Sequence, residues 1–133
     1  MHSILELFSN FLGGTLIVSL NEDAKEAQSV MEGRYFLPAD VIDNRKQYWI
    51  QENGSNAIWY HSHVWIIGNQ DALGRGTQFA TIYSTDKYIP NPLLVSNWTY
   101  KASNGKWTRS DNVLVGPGNV DLSLVYNLYI YYM

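Results

Sequence analysis

The chain has 133 residues, 46% hydrophobic and 14% aromatic, with a formal net charge of −3 and no cysteine. That length fits one domain able to bury roughly two-thirds of its unfolded surface without metal staples. The cysteine count excludes disulfides, thiolate catalysis and cysteine metal sites, and the net charge with scattered basic residues gives no electrostatic reason to bind nucleic acid.

Residues 4–20 are apolar but interrupted by Glu6, Asn10 and Gly13-Gly14. The run is too short and too broken to span a membrane, and without a basic start it is a poor signal peptide. Secretion would imply that the true leader has been lost or that the start is incorrectly chosen. Within the run, Ile4, Leu5, Leu7, Phe8, Phe11 and Leu12 fit a short N-terminal amphipathic helix of about three turns, or an apolar extension. Residues 15–20 are β-branched and apolar and predict a strand. Residues 21–31 are either a short helix capped by Asn21 or a solvated loop. A strand over 33–37 ends at Pro38, and 40–45 predict a turn.

Residues 48–68, YWIQENGSNAIWYHSHVWIIG, hold Trp49, Trp59 and Trp65, three of the five tryptophans. Asn53-Gly54 accepts positive φ at both central turn positions, so arms at 46–51 and 56–61 predict a tight hairpin. A third strand is expected at 63–68, a loop at 69–76, and a strand at 78–84 with Phe79, Thr81 and Tyr83 on one face. Pro90 and Pro92 stiffen a loop before a brief strand at 93–95. Asn104-Gly105 marks a second hairpin between 98–101 and 106–108. Residues 113–115 are short and apolar, Gly116-Pro117-Gly118 breaks the chain, and 120–133 form a long strand-like tail. Eight or more short strands about eight to twelve residues apart indicate an all-β fold, a small antiparallel barrel or sandwich built from hairpins. The chain divides into an N-terminal apolar segment (1–14), a β module (15–116) and a C-terminal strand tail (117–133).

Gly33-Arg34-Tyr35, Asn44-Arg45-Lys46-Gln47-Tyr48-Trp49, Ala57-Ile58-Trp59-Tyr60 and Trp65-Ile66-Ile67-Gly68 follow one another in order. Gly74, Ala80, Pro92, Trp98 and Gly105-Lys106-Trp107 come after them. In this order residues 15–116 resemble a small Trp/Gly-rich extracellular β module found in tandem in large proteins of protists, algae and invertebrates. The second element lacks the glycine of that pattern, and the usual cysteine pair is missing, so an aromatic core must supply the stability. The resemblance implies an extracellular or surface location and a role without an established enzymatic activity.

Chemistry-bearing constellations are few. His61-Ser62-His63 would set two imidazoles on one strand face, a geometry familiar for zinc, but a third ligand would have to come from Asp71 or His2. A solvated pair at a strand end is the simpler reading. Glu52, Asp71, Asp86 and Asp111 are the candidate acid–base pairs for glycoside hydrolysis, yet all fall in predicted turns, where carboxylates serve the backbone. No Gly-x-Ser-x-Gly elbow occurs, and Gly74-Arg75-Gly76 reads as a turn. No catalytic residue and no cofactor is expected.

Exposed rings among Trp49, Trp59, Trp65, Trp98 and Trp107 would stack on sugars, although most such rings should be core. Asn53-Gly54-Ser55 and Asn97-Trp98-Thr99 match the N-glycosylation acceptor pattern. The tail from Leu122, LSLVYNLYIYYM, carries no charge and no proline. Its alternate residues Leu122, Leu124, Tyr126, Leu128, Ile130 and Tyr132 would make a self-pairing strand face, closing the domain's own sheet or joining a second copy. The expected function is therefore a secreted, non-enzymatic module that self-associates, with carbohydrate binding as the alternative. The expected partners are copies of itself or other extracellular proteins and glycans, not nucleic acid or a membrane interior.

Overall fold

Short apolar–polar alternations punctuated by turn formers build a meander. The computed structural model of the chain describes residues 14–38, 42–43 and 46–118. The strands are β1 (Leu16–Leu20), β2 (Gly33–Phe36), β3 (Ile42–Asp43), β4 (Lys46–Gln47), β5 (Trp49–Gln51) and β6 (Asn56–His61). They continue as β7 (Val64–Asn69), β8 (Ala80–Ser84), β9 (Trp98–Lys101), β10 (Trp107–Ser110) and β11 (Val113–Pro117). One helix, α1 (Glu22–Gln28), follows β1. Nine strands form an antiparallel sheet in the order β10-β9-β8-β7-β6-β5-β2-β1-β11, while β3 and β4 pair separately.

Chain connectivity forces this sheet to curl. β10 ends at Ser110 and β11 begins at Val113, yet the two lie at opposite ends of the strand order. Three Cα steps reach at most about 11 Å. A flat sheet would hold its first and ninth strands roughly 38 Å apart, at about 4.8 Å per neighbour. The sheet is therefore a nearly closed barrel rather than a sandwich. Residues 107–117 act as one closing strand, pairing first with β9 and then, from Leu20↔Val113 to Leu16↔Pro117, with β1. At the changeover the Asn21 N–H donates to the Asn112 carbonyl at 2.9 Å.

Helix α1 packs beside this seam. Its Asp23 carboxylate accepts from the Ser103 and Tyr100 hydroxyls, each at 2.8 Å, and Gln28 Nε2 donates to the Lys101 carbonyl at 2.8 Å. The Ser103 hydroxyl, then that of Tyr100, hold the Asp23 carboxyl below the usual carboxylate range.

The inward face is filled by Leu16, Val18 and Leu20 of β1, Tyr35, Ile58, Ile67, Ile82, Tyr100 and Val113, together with Trp49, Trp65 and Trp98. Trp65 sits edge-on to Trp49 (5.8 Å between ring centroids) and to Tyr60 (5.2 Å), an arrangement that suits the ring quadrupoles. Two of these inward indole N–H groups reach a carbonyl: Trp65 donates to Ile89 at 2.8 Å, and Trp49 to Gly14. Tyr35, fully buried, donates to the Met31 carbonyl at 2.7 Å, and its burial pushes the phenol well above its ordinary range.

A second, smaller core lies on the outer face. Ala57, Trp59, Val64, Ile66 and Ala80 are buried there, with Ala72 and Leu73 of the β7–β8 connection packed on them. The Trp59 indole donates to the Arg75 carbonyl at 2.9 Å, which pins that connection to the barrel wall.

Both Asn-Gly hairpins form. Asn53 takes φ 59° in the β5–β6 turn, and Gly105 takes φ 81° between β9 and β10, a conformation costly for most side chains. Gly54 is required by space instead, because a Cβ there would meet Gln51 Oε1 at 2.2 Å.

Of the two readings of residues 21–31, the short helix forms: α1 has Asn21 at its N-cap position, without a side-chain cap hydrogen bond, and a 3-10 turn, Ser29–Met31, follows it. Several other expectations are corrected. The arm at 46–51 is broken at Tyr48 into β4 and β5. Residues 93–95 are not a strand: the Asn91 side chain accepts from the Leu93 N–H at 2.8 Å and caps a 3-10 turn, Pro92–Leu94. The strand expected at 78–84 starts at Ala80, after a 3-10 turn over Thr77–Phe79. A register shift opposite Ile67/Gly68 breaks the simple Phe79–Thr81–Tyr83 alternation. β11 runs on through Pro117, past the expected break. The helix expected over 3–12 and the tail over 120–133 lie outside the described residues.

Candidate functional site

The two histidines do not share a strand face. β6 ends at His61, and Ser62 (φ 49°) and His63 (φ 74°) form the tight turn into β7. Positive φ at both central positions matches the twist of a two-residue hairpin, so His63 leaves the strand. His61 contacts the Ser62 hydroxyl at 2.8 Å, whereas the His63 ring lies against Tyr88 at 4.5 Å. Among the described residues no group of three His, Cys, Asp or Glu side chains is placed to hold a metal ion.

The acidic candidates serve local structure. Glu52 approaches Arg34 at 3.9 Å, and Asp86 accepts from the Ser96 hydroxyl at 2.9 Å. The Asp71 N–H donates to Asn69 Oδ1 at 2.8 Å. Asp111 sits exposed at the seam between β10 and β11.

Of the five tryptophans, Trp49, Trp59, Trp65 and Trp98 are at most 1% exposed, so their faces are closed to a ligand in this fold. Trp107 is 44% exposed. It lies on the outward face of β10 and meets Tyr83 of β8 edge-on at 5.2 Å. The register places Lys101 directly opposite Trp107, and Arg109 opposite Thr99, which in turn pairs with Tyr83. One outer surface across β8–β10 thus carries a held indole, a tyrosine and two cations. Lys101 and Arg109 are exposed and form no ion pair among the described residues.

Sequence reasoning missed Lys101, Arg109 and Tyr83. The period of two in Trp107-Thr108-Arg109 was a usable signal for a shared face. Lys101 required the register across the 102–106 turn, which residue spacing alone leaves open.

The sequons sit at different places. Asn53 is exposed at the tip of the β5–β6 turn. Asn97 is partly exposed ahead of β9, and its carbonyl accepts from the Thr85 N–H at 2.9 Å. The Thr99 hydroxyl of that sequon is bonded to the Thr85 hydroxyl at 2.8 Å.

A polar cleft of about 550 Å³ opens near Asn53, lined by Ser29, Glu32, Gln51, Glu52, Ser55 and Asn56 among others. Its amides already have a structural task. Gln51 Nε2 donates to the Val30 and Glu32 carbonyls, both at 2.9 Å, and Gln51 Oε1 accepts from the Asn56 N–H (3.2 Å) and Asn56 Nδ2 (2.8 Å). This network ties the β1–β2 connection to the β5–β6 hairpin.

The self-association residues Leu122, Leu124, Tyr126, Leu128, Ile130 and Tyr132 lie outside the described residues. No helix among the described residues is long and apolar enough to cross a membrane. In comparisons with family models, with curated proteins and with solved structures, nothing matches the chain.

Proposed function

We propose that this chain is a non-enzymatic binding module of extracellular surfaces, holding carbohydrate on the outward face of β8–β10. The supporting observation is Trp107, the one tryptophan with an open ring, fixed against Tyr83 and set on a rigid barrel wall. A pre-fixed aromatic face offers the apolar side of a sugar a contact at low ordering cost. Lys101 and Arg109, both exposed, flank it with groups able to bond hydroxyls and other polar substituents. Affinity electrophoresis through gels carrying polysaccharide tests the reading. Native protein should be retarded, and Trp107→Ala should lose at least about tenfold in affinity, in keeping with a stacked ring contributing ~1.4 kcal/mol or more. Because the ring is half-exposed, the same change should cost less than about 1.5 kcal/mol of stability, read by urea unfolding. Equal retardation of the two proteins would remove Trp107 from the site.

A second reading, self-association, is favoured by the uncharged, proline-free run at 122–133. Strand pairing would join copies into dimers or filaments, with glycans on Asn53 and Asn97 covering exposed tips. The full chain should sediment as an oligomer, and Leu124→Asp with Leu128→Asp should sediment as a monomer, because buried unpaired charge is costly. A native chain that stays monomeric at high concentration ends this reading.

A further inference from the structure

We propose that the saccharide taken by the Trp107 face is acidic, carrying sulfate or uronate groups that Lys101 and Arg109 bind while the sugar ring stacks on Trp107. This inference rests on the carbohydrate reading and specifies its ligand. It is carried by the register. Lys101 is the cross-strand partner of Trp107, which sets their Cβ atoms roughly 5 Å apart. Arg109 follows Trp107 by two residues on the same face, about 6.6 Å further along the strand. An anionic group on a ring over Trp107 therefore falls between an ammonium and a guanidinium fork, both within the roughly 8 Å screening length of physiological salt.

The charge pattern fits an anion from outside the chain. The described ion pairs, Lys25–Glu32 and Arg34–Glu52, belong to other surfaces. Lys101, Lys106 and Arg109 have no carboxylate partner among the described residues. The nearest acid along the closing strand is Asp111, exposed and beyond the end of β10. Asp86, near the other end of β8, is engaged by Ser96. A cluster of unpaired cations on a chain of net charge −3 is a local field that an acidic polymer would neutralise.

The test uses the full chain and four polymers: dextran, dextran sulfate, polygalacturonate and polyphosphate. Affinity is measured by titration calorimetry at about 0.15 M salt, where surface charge is screened within ~8 Å. At least one acidic polysaccharide should bind about tenfold tighter than dextran, the effect of two modest exposed charge pairs. The tighter of the two acidic polymers identifies the anionic group. Lys101→Gln with Arg109→Gln should abolish the preference, so that the variant binds the acidic polymer no more tightly than it binds dextran, whereas Trp107→Ala should weaken the binding of both polymers. Both cations are exposed, so thermal melts should show the double variant folded like the native chain.

If dextran binds as tightly as the acidic polysaccharides, the acidic ligand is wrong and the carbohydrate reading stands. If polyphosphate matches the best acidic polysaccharide and Trp107→Ala leaves that binding intact, the face is only a charge patch and the inference falls. If none of the four polymers binds, both the inference and the carbohydrate reading fall.

Discussion

Trp65→Ala is expected to destabilise the protein by about 4 kcal/mol, the cost typical of removing a large buried ring that the surroundings cannot refill. Trp65 is 1% exposed and stands edge-on to both Trp49 and Tyr60. Its removal opens a void, loses both ring contacts and orphans the Ile89 carbonyl that its indole N–H reaches at 2.8 Å. A domain of this size has total stability on the order of 5–15 kcal/mol, so the variant would sit close to the unfolding threshold. Urea unfolding followed by circular dichroism reads the loss. Trp65→Phe keeps most of the ring volume but not the N–H, and should cost roughly 2 kcal/mol, separating packing from the hydrogen bond. A loss below about 2 kcal/mol for Trp65→Ala would mean that the barrel interior collapses onto the gap.

Gln51→Leu is expected to cost about 3 kcal/mol, although it exchanges a polar side chain for an apolar one of similar size. The Gln51 amide is 7% exposed and satisfies two carbonyls and two N–H groups of other residues. Leucine leaves the Glu32 carbonyl and the Asn56 N–H without that partner, and each buried polar group left unpaired costs roughly 1–3 kcal/mol. Val30 suffers less, since Asn56 Nδ2 still donates to its carbonyl at 3.0 Å. Chemical unfolding of Gln51→Leu, Asn56→Ala and the double variant should show the two losses adding to more than the double costs, since both residues serve one network. Strict additivity would mean that the β1–β2 connection and the β5–β6 hairpin are held independently.

Much of the architecture is legible in local sequence. Asn53-Gly54 and Asn104-Gly105 each occupy a turn that demands positive φ, so both hairpins follow from backbone sterics at those sites. The all-β class follows from the spacing of turn formers between short alternating runs. Turns were misplaced at two points: the Asn91 side chain capped a 3-10 turn where a strand was expected, and Ser62-His63, at positive φ, took the turn that ended β6. Neither residue pair carries the glycine that makes such turns visible in sequence.

The remainder was settled by the way the sheet bends. The register pairs Trp59 with Ile66 and Trp65 with Tyr60, so the two tryptophans occupy opposite faces, yet both are buried. The barrel interior encloses Trp65, and the β7–β8 connection folds over Trp59 on the outside. Trp107 follows the same strand rule as the others and stays open, because no described connection covers the outer face of β10. What the amino-acid order determined was therefore which residues turn and which alternate, since those depend on each residue's own φ, ψ and side chain. Closure of the barrel, the face each ring occupies, and the meeting of Trp107 with Lys101, Arg109 and Tyr83 depend on contacts between distant strands, and only the tertiary structure decided them.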